Sequence, residues 1–395
     1  MADHVPLKTR EALIAFAGRL DGVEAIGFDT EFHAENSYWP KVMLLQFSTP
    51  DEVVLVDPLA EEIKGAIGGF LELIRMRAQI VVGHALEHDL EIFHRLSGGL
   101  PARIFDTQRA AAFCGYGGPI GLGPLLSALL KVDLPKAFGR ADWGRRPLPQ
   151  AQLRYAADDV AHLLPARAAL EAALETRGRH AWLEEEQASL LDPESYAAPS
   201  PEDAWKRIRR RGRSAEGFGI LVSVAAERER LAQAADLPPR RILPDDVVLD
   251  WATRAPGKKA ELKGGTRRNA GPHLDRHADA WLDAIRFGLE MGIEPPAEAL
   301  PSDEAVLARE LLRFSVRFAL SRAEVAPWLI EGSYEALDAL VEAPTRDRAE
   351  LLERLGWAGW RTELLGDRLQ RILQGAPLKI VELGGTLRVE AADLS

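Results

Sequence analysis

Residues 25–57 read AIGFDTEFHAENSYWPKVMLLQFSTPDEVVLVD and hold three apolar runs at short spacing. The first, Ala25-Ile26-Gly27-Phe28, ends at Asp29; VMLLQFS follows at 42–48 and VVLVD at 53–57. Runs of this length and composition, with Thr49-Pro50-Asp51 as a turn between the last two, predict an antiparallel meander. Working outward, Glu61–Arg77 carries Ile63, Ile67, Phe70, Leu71 and Ile74 on one helical stripe. The run Ile80–Val82 leads into a second helix near Leu86–Leu96, and Arg103–Asp106 predicts a further short strand. Gly115–Gly123 is a glycine-rich connection, and Gln150–Leu164 predicts a helix. Strands first, then strand–helix alternation, predict an α/β domain with a mixed sheet over residues 1–195.

Composition shifts at LDPESYAAPSPED, residues 191–203, which reads as a linker. Beyond it strand signals vanish and long helical periodicity takes over, as in Glu216–Ala235 and Ala305–Leu320. Leu237-Pro238-Pro239 and Glu294-Pro295-Pro296 break it, and the second break separates two all-α units, 200–293 and 300–376. The tail 377–395 contains KIVEL-GG-TLRVE, two alternating runs about a Gly-Gly loop, which predicts a β-hairpin.

The chain has 395 residues, 47% of them hydrophobic, enough to bury a sizeable core. At roughly 100–200 residues per domain, two or three domains are expected. The net charge is −11, from 60 acidic and 49 basic side chains. That excludes a uniformly cationic nucleic-acid coat, although a local basic face can sit within an acidic average. A single cysteine, Cys114, excludes a disulfide framework, CxxC redox chemistry and cysteine-rich zinc sites; within AAAFC it reads as core. The N-terminal MADHVPLKTREALIAFAGRLDG is too polar for a signal peptide, and no apolar run approaches the ~20 residues that span a bilayer. A soluble, cytoplasmic, monomeric protein is expected, with no membrane association.

Three motifs carry chemistry. In Phe28-Asp29-Thr30-Glu31-Phe32, positions i and i+2 of a strand share a face, so Asp29 and Glu31 present two carboxylates together. Such a pair is costly unless solvent or a cation compensates it. In His84-Ala85-Leu86-Glu87-His88-Asp89, Asp89 falls early in the following helix, where an acid also suits the helix dipole. His84 and His88 have the i, i+4 spacing of a zinc pair, but the helix starts after His84 and no third ligand is evident. His273 and His277 share that spacing in a glycine- and arginine-rich loop. In Tyr155-Ala156-Ala157-Asp158-Asp159, Tyr155 and Asp159 share a helix face and Asp158 turns away. Asp29, Glu31, Asp89 and Asp159 together can form a four-carboxylate cage, and four such groups would not all ionise without a metal. The set fits two hard divalent cations, Mg²⁺ or Mn²⁺, about 3.5–4 Å apart, the arrangement that clamps both oxygens of a phosphodiester displacement.

FDTEF, HALEHDLEIF and QLRYAADDVAHLLP resemble the three exonuclease motifs of the DEDDy 3′→5′ exonucleases, most closely those of the ribonuclease D family. IFDTQRAAAFCGY and DWGRRPLPQAQLRYAADDV add to the likeness. The two helical units resemble the paired HRDC domains of that family, and GWAGWRTELLGDRLQRILQG at 356–375 matches the usual end of the second. The resemblance runs to about Gly375. It implies a ribonuclease H-like fold and hydrolytic release of 5′-mononucleotides from an RNA 3′ end by in-line attack of water. It further implies that Asp29, Glu31 and Asp159 hold one metal, that Asp29 bridges to a second supported by Asp89, and that Tyr155 orients or helps deprotonate the water. The implied partners are tRNA precursors and structured small RNAs with 3′ single-stranded ends. The chain departs from the pattern at Ala34, Glu35 and Asn36, where relatives often carry a basic residue, and at Ala137, where a serine is expected; these departures concern substrate contacts.

Basic side chains are unevenly placed. WKRIRRRGR at 205–213 holds Lys206, Arg207, Arg209, Arg210, Arg211 and Arg213. Residues 253–277 hold seven basic side chains, Lys258, Lys259, Arg267 and Arg268 among them, against two acids, a local net of +5. Both runs predict a phosphate-contacting surface on the first helical unit. Trp143 and Arg145, close to the third motif, are candidates for the terminal nucleotides. A DNA exonuclease of the same fold is the alternative within the reaction class, though the chain has no GxxxxGK[ST] loop of a helicase. A non-catalytic RNA-binding adaptor is the alternative outside it, and the presence of every carboxylate and of Tyr155 argues against it.

Overall fold

The computed structural model describes residues 4–135, 138–139, 141–208, 217–263, 273–295, 302–345 and 347–374, and the backbone of 271–272, 378–383 and 386–391. Five strands form one mixed sheet: β1 (Ala25–His33), β2 (Lys41–Ser48), β3 (Val53–Val56), β4 (Ile80–Gly83) and β5 (Ile104–Asp106), in the order β3-β2-β1-β4-β5. β2 and β3 pair antiparallel, Leu45 opposite Val56 and Ser48 opposite Val53. β1 pairs parallel with β4, Ala25 opposite Ile80, and β4 with β5, Gly83 opposite Asp106. β4, all four residues buried, reads as the unbroken apolar run of a parallel strand covered on both faces.

Alternation along β1 divides its side chains between two layers. Phe28 enters an aromatic cluster, 5.3 Å from Phe47 and 5.6 Å from Phe93 between ring centroids. Phe47 in turn lies 5.7 Å from Phe16 and 5.6 Å from Phe70. On the other face, a Cβ at Gly27 would lie 2.1 Å from Ser48 Oγ and 3.2 Å from the Val160 carbonyl. Ser48 Oγ donates to that carbonyl at 2.7 Å. Only glycine lets the helix Gln150–Ala161 lie this close to the strand.

Two predicted helices differ from the observed ones. The helix expected from Glu61 begins at Ile67, and residues 61–66 form turns that still bury Ile63. The helix expected over Gln150–Leu164 ends at Ala161, and a second runs Leu163–Arg177. Pro165 explains the break. In a continuous helix its ring would meet the carbonyl of Ala161, whereas after the restart it sits in a first turn, where no amide donor is needed.

The chain divides into two compact units. The first comprises residues 1–30, 44–195 and 300–395. The sequence sets 300–376 apart, yet here its helices, among them Asp303–Arg322, Tyr334–Glu342 and Arg348–Leu355, share a core with the sheet domain. Leu312, Leu320 and Trp360 belong to the same buried cluster as Phe113, Leu170 and Leu183. Glu186 is the polar fastening. Its carboxylate accepts from Arg109 Nη1 at 2.8 Å and Trp360 Nε1 at 3.3 Å and pairs with Arg361 Nη2 at 2.8 Å, so this buried charge is fully partnered.

The second unit comprises residues 31–43 and 196–299. Phe218–Ala235 is its central helix, crossed by Ala278–Met291 where Gly219 meets Gly288, and Trp251 and Trp281 fill its core with centroids 5.8 Å apart. Segment 31–43 is tied to it: Asp236 Oδ1 accepts from the backbone N–H groups of Tyr38 and Trp39, each at 3.1 Å. At the C-terminus β6 (Leu378–Leu383) and β7 (Thr386–Ala391) pair antiparallel, Leu383 opposite Thr386; Gly384 and Gly385 lie outside the described residues. No helix among the described residues is long and apolar enough to cross a membrane.

Candidate active site

Asp29 and Glu31 lie on β1 just past the stretch Ala25–Gly27 that pairs parallel with β4, toward the carboxyl end of the parallel strands, where α/β sheets place their ligands. Both follow Gly27 to the face covered by the helix Gln150–Ala161, and that helix supplies Asp159. Carboxylate oxygens of Asp29, Glu31 and Asp159 lie within 4.8 Å of one another, and all three residues are half-buried. Among the described residues this is the only group of acids, histidines and cysteines close enough to hold a metal ion. Burial pushes the Asp159 carboxyl up to about 7, with Asp158 adding to the rise; a hydrogen bond from the Tyr155 side chain opposes it. The donor set is all oxygen, which fits a hard divalent cation and no soft one.

Asp89 arrives from the opposite layer. It lies in the first turn of the helix Glu87–Ser97, is buried, and its Oδ1 accepts from Thr30 Oγ1 at 2.5 Å. Burial raises its carboxyl to about 7, and the neighbouring Asp106 adds to the rise while Thr30 opposes it. Asp89 is outside the group of three. Gly83 lets its helix start close to β1, since a Cβ there would meet Leu86 at 2.2 Å and the Phe28 carbonyl at 3.0 Å.

Tyr155 packs against Phe138 at 5.9 Å and Trp143 at 6.2 Å between ring centroids. Trp143, expected at the RNA surface, is only 2% exposed and is a packing residue behind Tyr155. Arg145 is exposed. Its neighbour Arg146 grips buried Asp57 with two bonds of 2.8 and 2.7 Å, which anchors this loop. His84 Nδ1 meets Thr107 Oγ1 and Nε2 meets the Ile120 carbonyl, each at 2.9 Å, so neither ring nitrogen is available to a metal.

Among the described residues, the basic runs are more internally paired than the sequence suggests. Arg207, expected to face phosphate, pairs with buried Glu229 at 2.8 Å, and the Tyr38 hydroxyl bonds to the same carboxylate; both brace the second unit. Lys206 pairs with Asp203 at 2.7 Å and Lys259 with Asp279 at 2.6 Å, both on the surface, where such pairs exchange readily for phosphate. Lys258 is exposed. Arg209, Arg210, Arg211, Arg213, Arg267 and Arg268 lie outside the described residues, as does Ala137.

The two raised carboxyls make a pH prediction. Each has an ordinary value near 3.8 and about 7 in the fold, so the native state binds more protons than the unfolded chain between these values. Their contribution to stability is fully present below about pH 4 and is lost as pH rises through 7. In a chelator the Tm therefore falls between pH 5 and pH 8, and Asp89→Asn, which imitates the neutral acid, flattens that fall. Thermal unfolding across this range checks it; parallel curves for the two proteins would contradict the assignment.

Comparison with known proteins bears on what such a site belongs to. A family model described as 3′-5′ exonuclease matches residues 5–175. Ribonuclease D of Nitrobacter hamburgensis is 33% identical over 391 residues, 97% of this chain and 99% of that one. Ribonuclease D of Gluconacetobacter diazotrophicus is 35% identical over 402 residues, 98% of each. Among solved structures, Escherichia coli RNase D, described as an exoribonuclease involved in structured RNA processing, superposes with a TM-score of 0.76 at 26% identity, covering 95% of this chain and 100% of that one. Relatives at this identity over nearly the full length place the chain in the ribonuclease D family of 3′→5′ exoribonucleases.

Proposed function

We propose that the chain trims RNA from the 3′ end to 5′-mononucleotides with two divalent cations, Mg²⁺ or Mn²⁺, on tRNA precursors and structured small RNAs with 3′ single-stranded ends. The observation that carries this reading is the meeting of Asp29, Glu31 and Asp159 within 4.8 Å, with Tyr155 bonded to Asp159. Asp29, Glu31 and Asp159 would hold one cation, and Asp29 and Asp89 the other. Bound there, the cations would supply Lewis-acid activation of the scissile phosphate and of the attacking water. The protein's own groups do the aiming. At neutral pH a phenol with a reference pKa near ~10 keeps its proton, so Tyr155 donates to Asp159 and offers its oxygen lone pairs to a water.

Relatives named Ribonuclease D support RNA as the substrate. Phosphate contacts would come from Arg145, Lys206, Lys258 and Lys259, together with Arg209, Arg210, Arg211, Arg213, Arg267 and Arg268. On this reading residues 1–195 are the exonuclease domain, 200–293 and 300–376 are HRDC domains, and the protein is a cytoplasmic monomer.

The test uses RNA and DNA oligonucleotides blocked at either end, with and without Mn²⁺. A 3′ block stops the release of mononucleotides, a 5′ block does not, and RNA is cut faster than DNA. Protection by the 5′ block would overturn the polarity, and faster cutting of DNA the substrate class.

A further inference from the structure

Thr30 sits between the two acids of β1 and points the other way. Asp29 and Glu31 face Asp159, whereas Thr30 faces the helix Glu87–Ser97 with Phe28, whose ring lies 5.6 Å from Phe93 of that helix. One residue of offset on a strand thus lets β1 reach both layers at once. Thr30 is 7% exposed and Asp89 6%, and the Thr30 hydroxyl donates to Asp89 Oδ1 at 2.5 Å. The Thr30 backbone N–H bonds to the same carboxylate.

The helix that carries Asp89 is held from beneath. Asp106, 1% exposed at the end of β5, caps the next helix, Thr107–Phe113, through the N–H groups of Gln108 at 2.8 Å and Arg109 at 3.2 Å. The same carboxylate accepts from the N–H groups of Ala85 at 3.1 Å and Leu86 at 2.9 Å, the turn that launches the Asp89 helix. Asp106 N–H is itself bonded to Gln187 Oε1 at 2.5 Å. With the backbone of this turn clamped, what remains to be set is the rotation of the Asp89 carboxylate, which takes bonds from the Thr30 hydroxyl, the Thr30 N–H and its own N–H.

We propose that Thr30 is a positioning residue, its hydroxyl setting the rotamer of the Asp89 carboxylate so that one oxygen is committed to the strand and the other is presented to the catalytic centre. This rests on the reading of Asp89 as a carboxylate of that centre. Thr30 touches neither substrate nor reacting atoms. Its effect is on how much cation the centre needs, not on how tightly RNA is held.

The test compares full-length Thr30→Val, Thr30→Ala and Thr30→Ser with Asp89→Asn. The measurements are the single-turnover rate on a 3′ single-stranded RNA against Mn²⁺ concentration, Mn²⁺ affinity by calorimetry, and RNA affinity. In Thr30→Val and Thr30→Ala the rate at limiting Mn²⁺ falls roughly tenfold to hundredfold, the size of one hydrogen bond to a charged group. The Mn²⁺ needed for half the maximal rate rises, Mn²⁺ affinity weakens and RNA affinity stays within about twofold. Thr30→Ser, which restores the hydroxyl, recovers the wild-type Mn²⁺ dependence. Thr30→Ala serves should Thr30→Val unfold. If Asp89→Asn abolishes the rate while Thr30→Val and Thr30→Ala keep the wild-type Mn²⁺ dependence, Thr30 is a packing residue and the proposal fails. If Asp89→Asn keeps the wild-type rate, the reading of Asp89 itself fails.

Discussion

Asp29→Asn lowers the single-turnover rate of RNA hydrolysis by about 10³-fold or more, and Asp159→Asn does the same. The size follows from what the carboxylates would hold on the proposed reading: a cation clamp contributes several kcal/mol to the transition state, and each 1.36 kcal/mol is tenfold. An amide preserves the shape of the side chain but loses its charge and is a poorer donor to a hard cation. The fold is not at risk. Asp29, Glu31 and Asp159 bring three acid groups within 4.8 Å, an arrangement that is repulsive without a cation, so removing one leaves the Tm in chelator unchanged or raised. Mn²⁺ then stabilises the variant less than the wild type. RNA affinity largely survives, because on the proposed reading it comes from basic residues elsewhere in the chain. Rate, Tm with and without Mn²⁺, and RNA binding are measured together. A variant with near-normal turnover would remove these residues from the catalytic centre.

How much of this was legible beforehand depends on the distance over which each contact acts. Asp29 with Glu31 and Tyr155 with Asp159 are set by the period of a strand and of a helix, so their shared faces could be read from spacing alone. Gly27 and Pro165 were equally visible as letters, but their meaning needs the partner. Gly27 is small because Val160 crosses it, and Pro165 splits a helix because Ala161 stands four residues before it. The Thr30–Asp89 bond joins residues 59 apart, and no periodicity links a strand residue to a helix in the next layer. The same holds for the basic surface. Arg207 reads as one of a cationic run, and only the fold reveals Glu229 buried beneath it. Trp143 was ambiguous by nature, since an indole beside arginines suits a stacking platform and a core equally. The segment from 300 onward carries a complete helical pattern, which reveals that it has an apolar face but not that this face packs around Phe113 and Leu170.

Tyr155→Phe gives the second large effect, a fall of about 10²–10⁴-fold in the single-turnover rate at pH 8, the usual range for a general-base or positioning group. The ring still packs against Phe138 and Trp143, so the stability of the fold changes little. What disappears is one hydroxyl that serves two neighbours. It donates to Asp159, and on the proposed reading its oxygen is the acceptor that aims a water. Loss of the first contact has its own signature. The hydrogen bond from Tyr155 opposes the rise of the Asp159 carboxyl, which nevertheless stands at about 7; without it the carboxyl rises further. A more basic Asp159 holds its proton against a competing cation, so Mn²⁺ affinity in Tyr155→Phe weakens at pH 6.5 and returns to the wild-type value above pH 8. Loss of the second contact has no such remedy. The rate deficit therefore persists at pH 9, after the Mn²⁺ deficit has closed, and that separation distinguishes aiming the water from merely tuning the ligand. Rates and Mn²⁺ affinities measured in parallel from pH 6 to pH 9 decide it. A Tyr155→Phe rate within about threefold of wild type at pH 8 would leave the tyrosine as a hydrogen bond to Asp159 and nothing more.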